Sequence, residues 1–169
     1  MKRPTRFAFL VLLASGGLAC GSDDTATSDP PQPILAMNGT ISAAGRSVVP
    51  TYGAALLRTS GTVMILMSDA PMGCATLTAS YTSSSMPPAG TYLAVSIPSL
   101  DTGVAAQNFL DFTVVPEHGY DLGGGGSNTG TVEVLEVSPT AIAIRVTYHD
   151  ELKDGTYDVS GDFSVTRCP

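Results

Sequence analysis

The fold class is decided by the stretch AIAIRVTYHDELKDGTYDVSGDFSV, residues 141–165. Both of its ends alternate apolar and polar side chains with a period of two, the pattern of a strand with one buried and one wet face. The apolar positions are Ile142, Ile144, Val146 and Tyr148 in the first part, and Tyr157, Val159, Phe163 and Val165 in the second. Residues 149–155 lie between them and close on Asp154-Gly155, so we predict an antiparallel hairpin.

A third strand, predicted at Thr62–Met67, carries apolar side chains on both faces. Val63, Ile65 and Met67 have one parity, and Met64 and Leu66 have the other. Both faces are therefore expected to be covered, which places the strand at the centre of the sheet. Opposite parity also makes Met64 and Met67 core residues in this interpretation, rather than joint ligands of a copper ion.

Five further strands and the turn signals between them complete the pattern. The strands are Leu35–Ile41, Ala54–Arg58, Thr91–Ile97, Phe109–Val115 and Gly130–Val137; the turn signals are Asn38-Gly39, residues 87–90, Gly123–Gly126 and Ser138-Pro139. No helical period persists for more than a turn or two after Cys20. We predict an all-β chain: an antiparallel β-sandwich of about eight strands, forming a single domain over residues 34–169. A small β-barrel is the alternative.

The first nineteen residues are predicted to be a secretory signal peptide. Lys2, Arg3 and Arg6 precede the apolar run Phe7–Leu13, and small residues follow at 14–17, the order of a basic region, an apolar region and a cleavage site. The apolar run is shorter than the roughly 20 residues of a spanning helix. Residues 20–33 hold acids, small polar side chains and three prolines, which predicts a disordered tether.

The junction Leu18-Ala19-Cys20 resembles a bacterial lipoprotein signal, although its leucine stands two rather than three residues before the cysteine. With the tether and the segments Pro88–Tyr92 and Gly161–Cys168, the chain resembles small uncharacterised predicted lipoproteins of bacterial envelopes. The resemblance implies a lipidated Cys20 that anchors the protein to a membrane.

The residues after Cys20 imply the outer membrane within this resemblance, because Gly21-Ser22 lacks the aspartate that retains such proteins in the inner membrane. The alternative is a conventional signal peptide cleaved after Ala19. Cys20 would then be a thiol in a periplasmic or secreted protein.

The three cysteines fit this interpretation. An odd number leaves one thiol unpaired in an oxidising compartment, and lipidation of Cys20 leaves Cys74 and Cys168 to pair. A bond between them would close a loop of 94 residues, worth about 4–5 kcal/mol in the loop-entropy model. The alternative is two buried thiols that never meet.

Charge excludes one class of partner. Three of the eight basic residues lie in the signal peptide, which leaves five against 15 acids and a net charge of −10. Such a domain has no electrostatic reason to bind nucleic acid. An acidic surface does suit a cationic protein.

Motifs that carry chemistry are weak. Only His118 and His149 are present, too few for a zinc site, and we expect both to face solvent. The acidic stretch Asp150–Asp162 lacks the closing glutamate of an EF-hand, so no metal or other cofactor is predicted. Gly123–Gly126 lacks the Lys-Ser/Thr of a phosphate loop and is expected to be a flexible loop.

Hydrolase signatures are also weak. No Gly-x-Ser-x-Gly motif is present, and four carboxylates at Asp101, Asp111, Glu117 and Asp121 have no spacing that predicts a glycosidase pair. The absence of tryptophan argues against a platform on which sugars stack. Four tyrosines, Tyr52, Tyr81, Tyr92 and Tyr120, would have to take that role.

Three functions remain. We favour a non-enzymatic, lipid-anchored module that binds or scaffolds an envelope protein or a glycan. The alternative is an inhibitor of a cationic hydrolase such as lysozyme, which the net charge favours. The second alternative is an envelope hydrolase whose site has no recognisable motif, so no catalytic residue is assigned.

Overall fold

A single β-sheet curls so that one half of it covers the other. The computed structural model of the protein describes residues 36–82, 87–117, 123–153 and 155–169. The predicted signal peptide, the tether and Cys20 lie outside the described residues, as do His118, Tyr120, Asp121 and Asp154. The strands are β1 (Ala36–Ala43), β2 (Arg46–Val48), β3 (Tyr52–Leu57), β4 (Val63–Ser68), β5 (Gly90–Ile97), β6 (Gly103–Val104), β7 (Phe109–Val115), β8 (Gly123–Ser127), β9 (Thr131–Val137), β10 (Ala141–Leu152) and β11 (Gly155–Arg167), with one helix, α1 (Cys74–Thr82).

The strand order is β6-β9-β10-β11-β3-β4-β5-β7-β8. β1 lies outside this order: one of its edges pairs with β11 and the other with β2. The all-β prediction is thus confirmed, and each of the eight predicted strands overlaps an observed one. Among the described residues the two ends of the order, β6 and β8, do not pair with each other, so the sheet stays open.

The strands pair antiparallel with one exception. β11 and β3 run parallel over two pairs, Thr166 with Ala54 and Arg167 with Ala55. The described pairing of β1 with β11 runs up to Ala36 opposite Ser164, and Ala36 is the first residue that the structure describes. β3 pairs with β11 at the two positions after Val165. The purely antiparallel prediction is therefore corrected at this one seam.

The hairpin of β10 and β11 is longer and tighter than predicted. Leu152 pairs with Gly155, which leaves two residues between the strands instead of the expected seven-residue connection over 149–155. Residues 149–152 therefore belong to β10. The strands register from Ala141 opposite Thr166 to Leu152 opposite Gly155.

The main core lies between the two halves of the sheet. Phe112 of β7 has its ring centroid 5.4 Å from that of Tyr148 on β10 and 5.7 Å from that of Tyr157 on β11. β7 is not a neighbour of β10 or β11 in the sheet, so the Phe112 ring meets the two tyrosine rings across the core. Val63, Ile65 and Met67 of β4 point into the same core. The alternating pattern predicts such a core, and this open, curled sheet has the features of a sandwich or of a half-barrel.

A second apolar cluster covers the other face of β3, β4 and β5. Leu66 of β4 packs there with Met72 and with Leu77 of α1, and every residue of β4 is buried. The central, doubly covered position predicted for this strand is confirmed. The helix itself was not predicted. Within the described ranges, no helix is both long and apolar enough to span a membrane.

Two turn signals are wrong. Asn38-Gly39 lies inside β1, and Gly123–Gly126, expected to be a flexible loop, is part of β8. β8 pairs with β7 from Leu110 opposite Ser127 to Val114 opposite Gly123. The edge of a neighbouring strand supplies the hydrogen bonds that fix this glycine segment.

Candidate functional site

A row of charged and amide side chains crosses the outer face of four neighbouring strands. Strand pairing places Asn38 of β1 opposite Asp162 of β11, Asp162 opposite Arg145 of β10, and Arg145 opposite Glu133 of β9. All four have the parity opposite to the core residues, which puts them on the outer face. We call this set the charged row.

The charged row is fixed by hydrogen bonds at its centre. The guanidinium of Arg145 donates from Nε to Oδ1 of Asp162 at 2.7 Å and from Nη2 to Oδ2 at 2.9 Å. Its Nη1 donates to Oε2 of Glu133 at 3.2 Å. A two-point bridge of this kind holds both planar groups in one orientation.

A second row lies two residues away along each of the same strands and consists of hydroxyl groups. Pairing places Thr40 of β1 opposite Ser160 of β11, Ser160 opposite Thr147 of β10, and Thr147 opposite Thr131 of β9. The four side chains lie on the same outer face as the charged row and are exposed. We call this set the hydroxyl row.

Three residues of each row line an open recess of about 660 Å³ on the outer face of β1, β11 and β10. Its polar lining consists of Asn38, Thr40, Arg145, Thr147, Ser160 and Asp162. Val49, which is 55% exposed, also lines it. The volume lies in the range of small-molecule sites, roughly 300–1,000 Å³. We call this the outer recess.

Two glycines allow the strands beneath the recess to pack as they do. Gly39 of β1 lies opposite Gly161 of β11. A Cβ atom on Gly39 would lie 2.7 Å from the Cα of Gly161 and 2.7 Å from the Phe163 ring. A Cβ on Gly161 would collide with the backbone of Gly39 and Asn38. The core side of this seam therefore has no room for a side chain at either position.

Electrostatics keep the bridge charged. Hydrogen bonding from Arg145 lowers the pKa of Asp162, and the nearby positive charge adds to the effect. The same hydrogen bonds, with the charges of Asp162 and Glu133, raise the pKa of Arg145. The guanidinium lies between two carboxylates, so the row carries no excess positive charge.

A third row continues toward the hairpin end. Asp158 of β11 lies opposite Ser42 of β1 and His149 of β10, and His149 Nδ1 is 3.1 Å from Asp158 Oδ1. The His149 side chain is 63% exposed. The prediction that this histidine faces solvent is correct, although it lies within a strand.

A smaller recess of about 580 Å³ lies at one end of the sheet. Asn108 donates from Nδ2 to the carbonyl oxygen of Gly130 at 2.7 Å. Its Oδ1 is buried and accepts no hydrogen bond within the described part of the chain. One ordered water satisfies such an atom in most proteins, so this recess carries no functional assignment.

The chain matches no protein-family model. Comparison with curated proteins and with solved structures likewise returns no similar protein. The site must therefore be interpreted from its own chemistry.

The predicted cysteine pair is present. Cys74 at the start of α1 and Cys168 after β11 form a disulfide with a Cα–Cα distance of 5.6 Å. Cys168 is buried in the cluster beneath α1. The bond holds the helix to the end of the sheet.

The carboxylates considered for hydrolysis do not converge where they are described. Asp101 follows β5, and Glu117 follows β7. Since β5 and β7 are antiparallel, those two residues lie at opposite ends of the pair. Asp111 lies between them on the outer face of β7, where burial raises its pKa. In the ranges 36–82, 87–117, 123–153 and 155–169, no group of three histidine, cysteine or acidic side chains is placed to hold a metal ion.

The tyrosines considered for stacking lie elsewhere too. Tyr52 and Tyr92 pack in the cluster beneath α1, and Tyr81 belongs to that helix. Neither Tyr52 nor Tyr92 lines the outer recess.

The rows were not predicted from the sequence, because its basic residues entered only as a sum of charges. A signal was present. Arg145 and Asp162 are equally far from a two-residue turn at 153–154, as are Thr147 and Ser160. A tight turn at that point would have placed each pair side by side.

Proposed function

We propose that the protein is a lipid-anchored, non-enzymatic binding module of the bacterial envelope, and that its binding surface is the outer recess. One observation carries the proposal. Arg145 is held between two carboxylates, while the side chains of Asn38, Thr40, Thr147 and Ser160 make no hydrogen bond within the described residues. The recess thus combines a fixed centre with unused hydrogen-bonding groups.

Its position on the sheet supports this role. The polar groups project from β1, β10 and β11, which are joined by continuous ladders of backbone pairing. Sites on strands keep their geometry better than sites on loops, and a fixed site loses less conformational entropy on binding. The recess lies open on the surface, which suits an extended partner.

The anchor belongs to the same proposal. Cys20 would carry the lipid in the outer membrane, and the thirteen residues 21–33 would separate the domain from it. A flexible chain of that length has a mean span of about 20 Å. The domain would then sample a thin layer next to the membrane, where its partner must be.

Photo-crosslinking in intact cells tests the proposal. A crosslinking amino acid at Thr147 is expected to capture a partner, and one at Thr59, exposed at the turn before β4, is not. Ser160→Arg, which fills the recess, should reduce capture from Thr147. Cys20→Ala should release the protein from membranes and reduce capture as well. Equal capture from Thr59 and Thr147, or none from Thr147, contradicts the proposal.

A second candidate, inhibition of a cationic hydrolase, has its own structural support. Among the described residues, the hairpin strands pair only with each other beyond Thr147 and Asp158. This two-stranded end lies against Gly45 and Gly125 and exposes Asp150 and Glu151. An exposed acidic hairpin end suits the active-site cleft of a basic enzyme such as lysozyme.

A lysozyme assay separates the two candidates. The exported Cys20→Ala protein should inhibit lysozyme if the second candidate is right, and Asp150→Asn with Glu151→Gln should weaken the inhibition. Ser160→Arg in the outer recess is the matched control and should leave inhibition intact. No inhibition at high protein concentration removes this candidate.

A further inference from the structure

We infer that the ligand of the outer recess is an uncharged glycan chain, lying across β1, β11 and β10 along the two rows. This inference rests on the proposed binding function and names its ligand class. It follows from the kinds of groups in the recess, their spacing and their charge.

The hydroxyl row offers donors and acceptors in equal measure. Each hydroxyl of Thr40, Ser160 and Thr147 donates one hydrogen bond and accepts others, and the amide of Asn38 does both. A ligand that mainly accepts, such as phosphate, leaves much of the acceptor capacity of the recess unused. A ligand that only donates, such as a lysine side chain, leaves the donor capacity unused. Sugar hydroxyls donate and accept alike.

The charges of the face disfavour anions. Among the described residues that line the recess, Arg145 is the only cation, and Asp162 and Glu133 already bind it. An anion would have to compete with two carboxylates for one guanidinium. It would also approach a mature chain whose net charge is −10. An uncharged ligand meets neither cost.

Asp162 adds a stronger acceptor at the centre. Each of its oxygens accepts one bond from Arg145, and a carboxylate has about four acceptor sites in total. Its side chain is 43% exposed, so free acceptor sites remain for sugar hydroxyls. Hydrogen bonds to a charged acceptor are about twice as strong as neutral ones.

The spacing of the rows suits a chain of linked units. Neighbouring strands in a sheet lie about 4.7–4.9 Å apart, so each row presents one polar group at that interval from β1 to β9. A polymer that repeats its hydroxyl groups can therefore meet one group per strand. Val49 offers an apolar contact for the C–H groups of a sugar ring.

The mode of binding differs from aromatic stacking. No aromatic side chain lines the recess among the described residues, so the contact depends on hydrogen bonds. Such contacts are individually weak because water competes for them. We therefore expect the affinity for a short oligosaccharide to be low and to increase with chain length as more positions along the rows are used.

Titration with defined probes tests the inference. The exported Cys20→Ala protein is titrated by NMR and calorimetry with N-acetylglucosamine dimers and hexamers, with cellohexaose, and with inorganic phosphate. We expect an oligosaccharide to bind, the hexamer more tightly than the dimer, and phosphate to leave the recess residues unchanged. A preference for the N-acetylated hexamer would indicate cell-wall glycan as the source, and a preference for cellohexaose would indicate a neutral secreted glucan.

Matched variants locate the binding. Thr147→Val with Ser160→Ala removes two hydroxyls and keeps the side-chain volume nearly constant, so affinity should fall about tenfold or more. Thr102→Val, an exposed threonine in the segment before β6, is the control and should bind as the parent does. NMR spectra of the unbound variants show whether they are folded.

The results separate this inference from the proposed function. If no oligosaccharide binds, or if the Thr147→Val, Ser160→Ala protein binds as the parent does, the glycan assignment is wrong. The binding-module proposal still stands in that case if Thr147 captures a protein partner in cells. Phosphate binding that depends on Arg145 would also overturn the assignment.

Discussion

Arg145 and Asp162, seventeen residues apart in the chain, form a two-point bridge with N–O distances of 2.7 and 2.9 Å on the outer face of the sheet. Their Cα atoms are directly paired in the β10–β11 hairpin. Cross-strand pairs of opposite charge stabilise a sheet only modestly. The main consequence of this bridge is orientation, because it fixes the planar groups at the centre of the outer recess.

The bridge predicts the titration of Asp162. Its pKa should lie below the ordinary aspartate range, and Arg145→Gln should return it toward that range. Because the folded-state pKa is lowered, the associated stability is present above the unfolded pKa and is lost as the pH falls through the folded one. NMR titration of the Asp162 carboxyl carbon measures its pKa in the parent protein and in the Arg145→Gln variant. Arg46→Gln is the control, and a shift equal to that of Arg145→Gln would contradict the assignment.

The close contact between Gly39 and Gly161 predicts that two glycine-to-alanine substitutions change the stability of the protein unequally. Gly161→Ala places a Cβ against the backbone of Gly39, and overpacking of this kind costs about 1–3 kcal/mol. Gly125→Ala, also in a strand, meets only side chains at 3.6 Å or more. It should be neutral or slightly stabilising, since alanine restricts the unfolded chain. Urea unfolding of both variants measures the difference in their free energies of unfolding. Equal values would show that β1 and β11 can move apart to accommodate the added methyl group.

Strand positions were predictable because side-chain alternation reports burial directly. Ile142, Ile144 and Val146 are fully buried, whereas Arg145 and Thr147, which have the opposite parity, are exposed. β4 was recognisable as central by the same logic, since both of its parities are apolar. Local sequence is sufficient for such elements.

The elements that were missed depend on tertiary contacts. The sequence of α1, CATLTASYT, places threonine, alanine and serine around a single leucine, so no clear apolar stripe predicts the helix. Cys74 holds its first turn to the sheet. β8 consists of four glycines and a serine, and glycine has low strand propensity. Its pairing with β7 and the Phe109 ring against Gly126 define it instead.

The candidate site depends on register, which alternation does not specify. Parity predicts that Arg145 and Asp162 both face outward. It does not predict that they are opposite each other, because that depends on the length of the turn. A seven-residue connection over 149–155 leaves the register open, whereas pairing of Leu152 with Gly155 fixes it. The hairpin alone also does not predict that Asn38 of β1 and Glu133 of β9 extend the row. Their positions depend on the pairing of β1 with β11 and of β9 with β10.

The disulfide predicts a redox-dependent stability. Reduction of Cys74–Cys168 should lower the free energy of unfolding by about 4–5 kcal/mol, because it removes a constraint on a loop of 94 residues in the unfolded chain. Helix α1 should separate from the sheet first, since the bond joins its first turn to the end of β11. Urea unfolding with and without reductant measures the change. A Cys74→Ala, Cys168→Ala protein is the control and should not respond to reductant; equal stability of the oxidised and reduced parent would contradict the prediction.

Tyr92 predicts a late step in the alkaline titration. It is 2% exposed, and its hydroxyl donates to the carbonyl oxygen of Pro88 at 2.7 Å. Burial raises the pKa of Tyr92 to about 12 from its ordinary value of 10.0. The stability linked to the neutral phenol is therefore complete below pH 10 and is lost as the pH rises toward 12. Tyrosinate absorbance should contain a component near pH 12 that Tyr92→Phe removes and Tyr52→Phe retains. If Tyr92→Phe leaves that component in place, Tyr92 ionises without the cost that its burial implies.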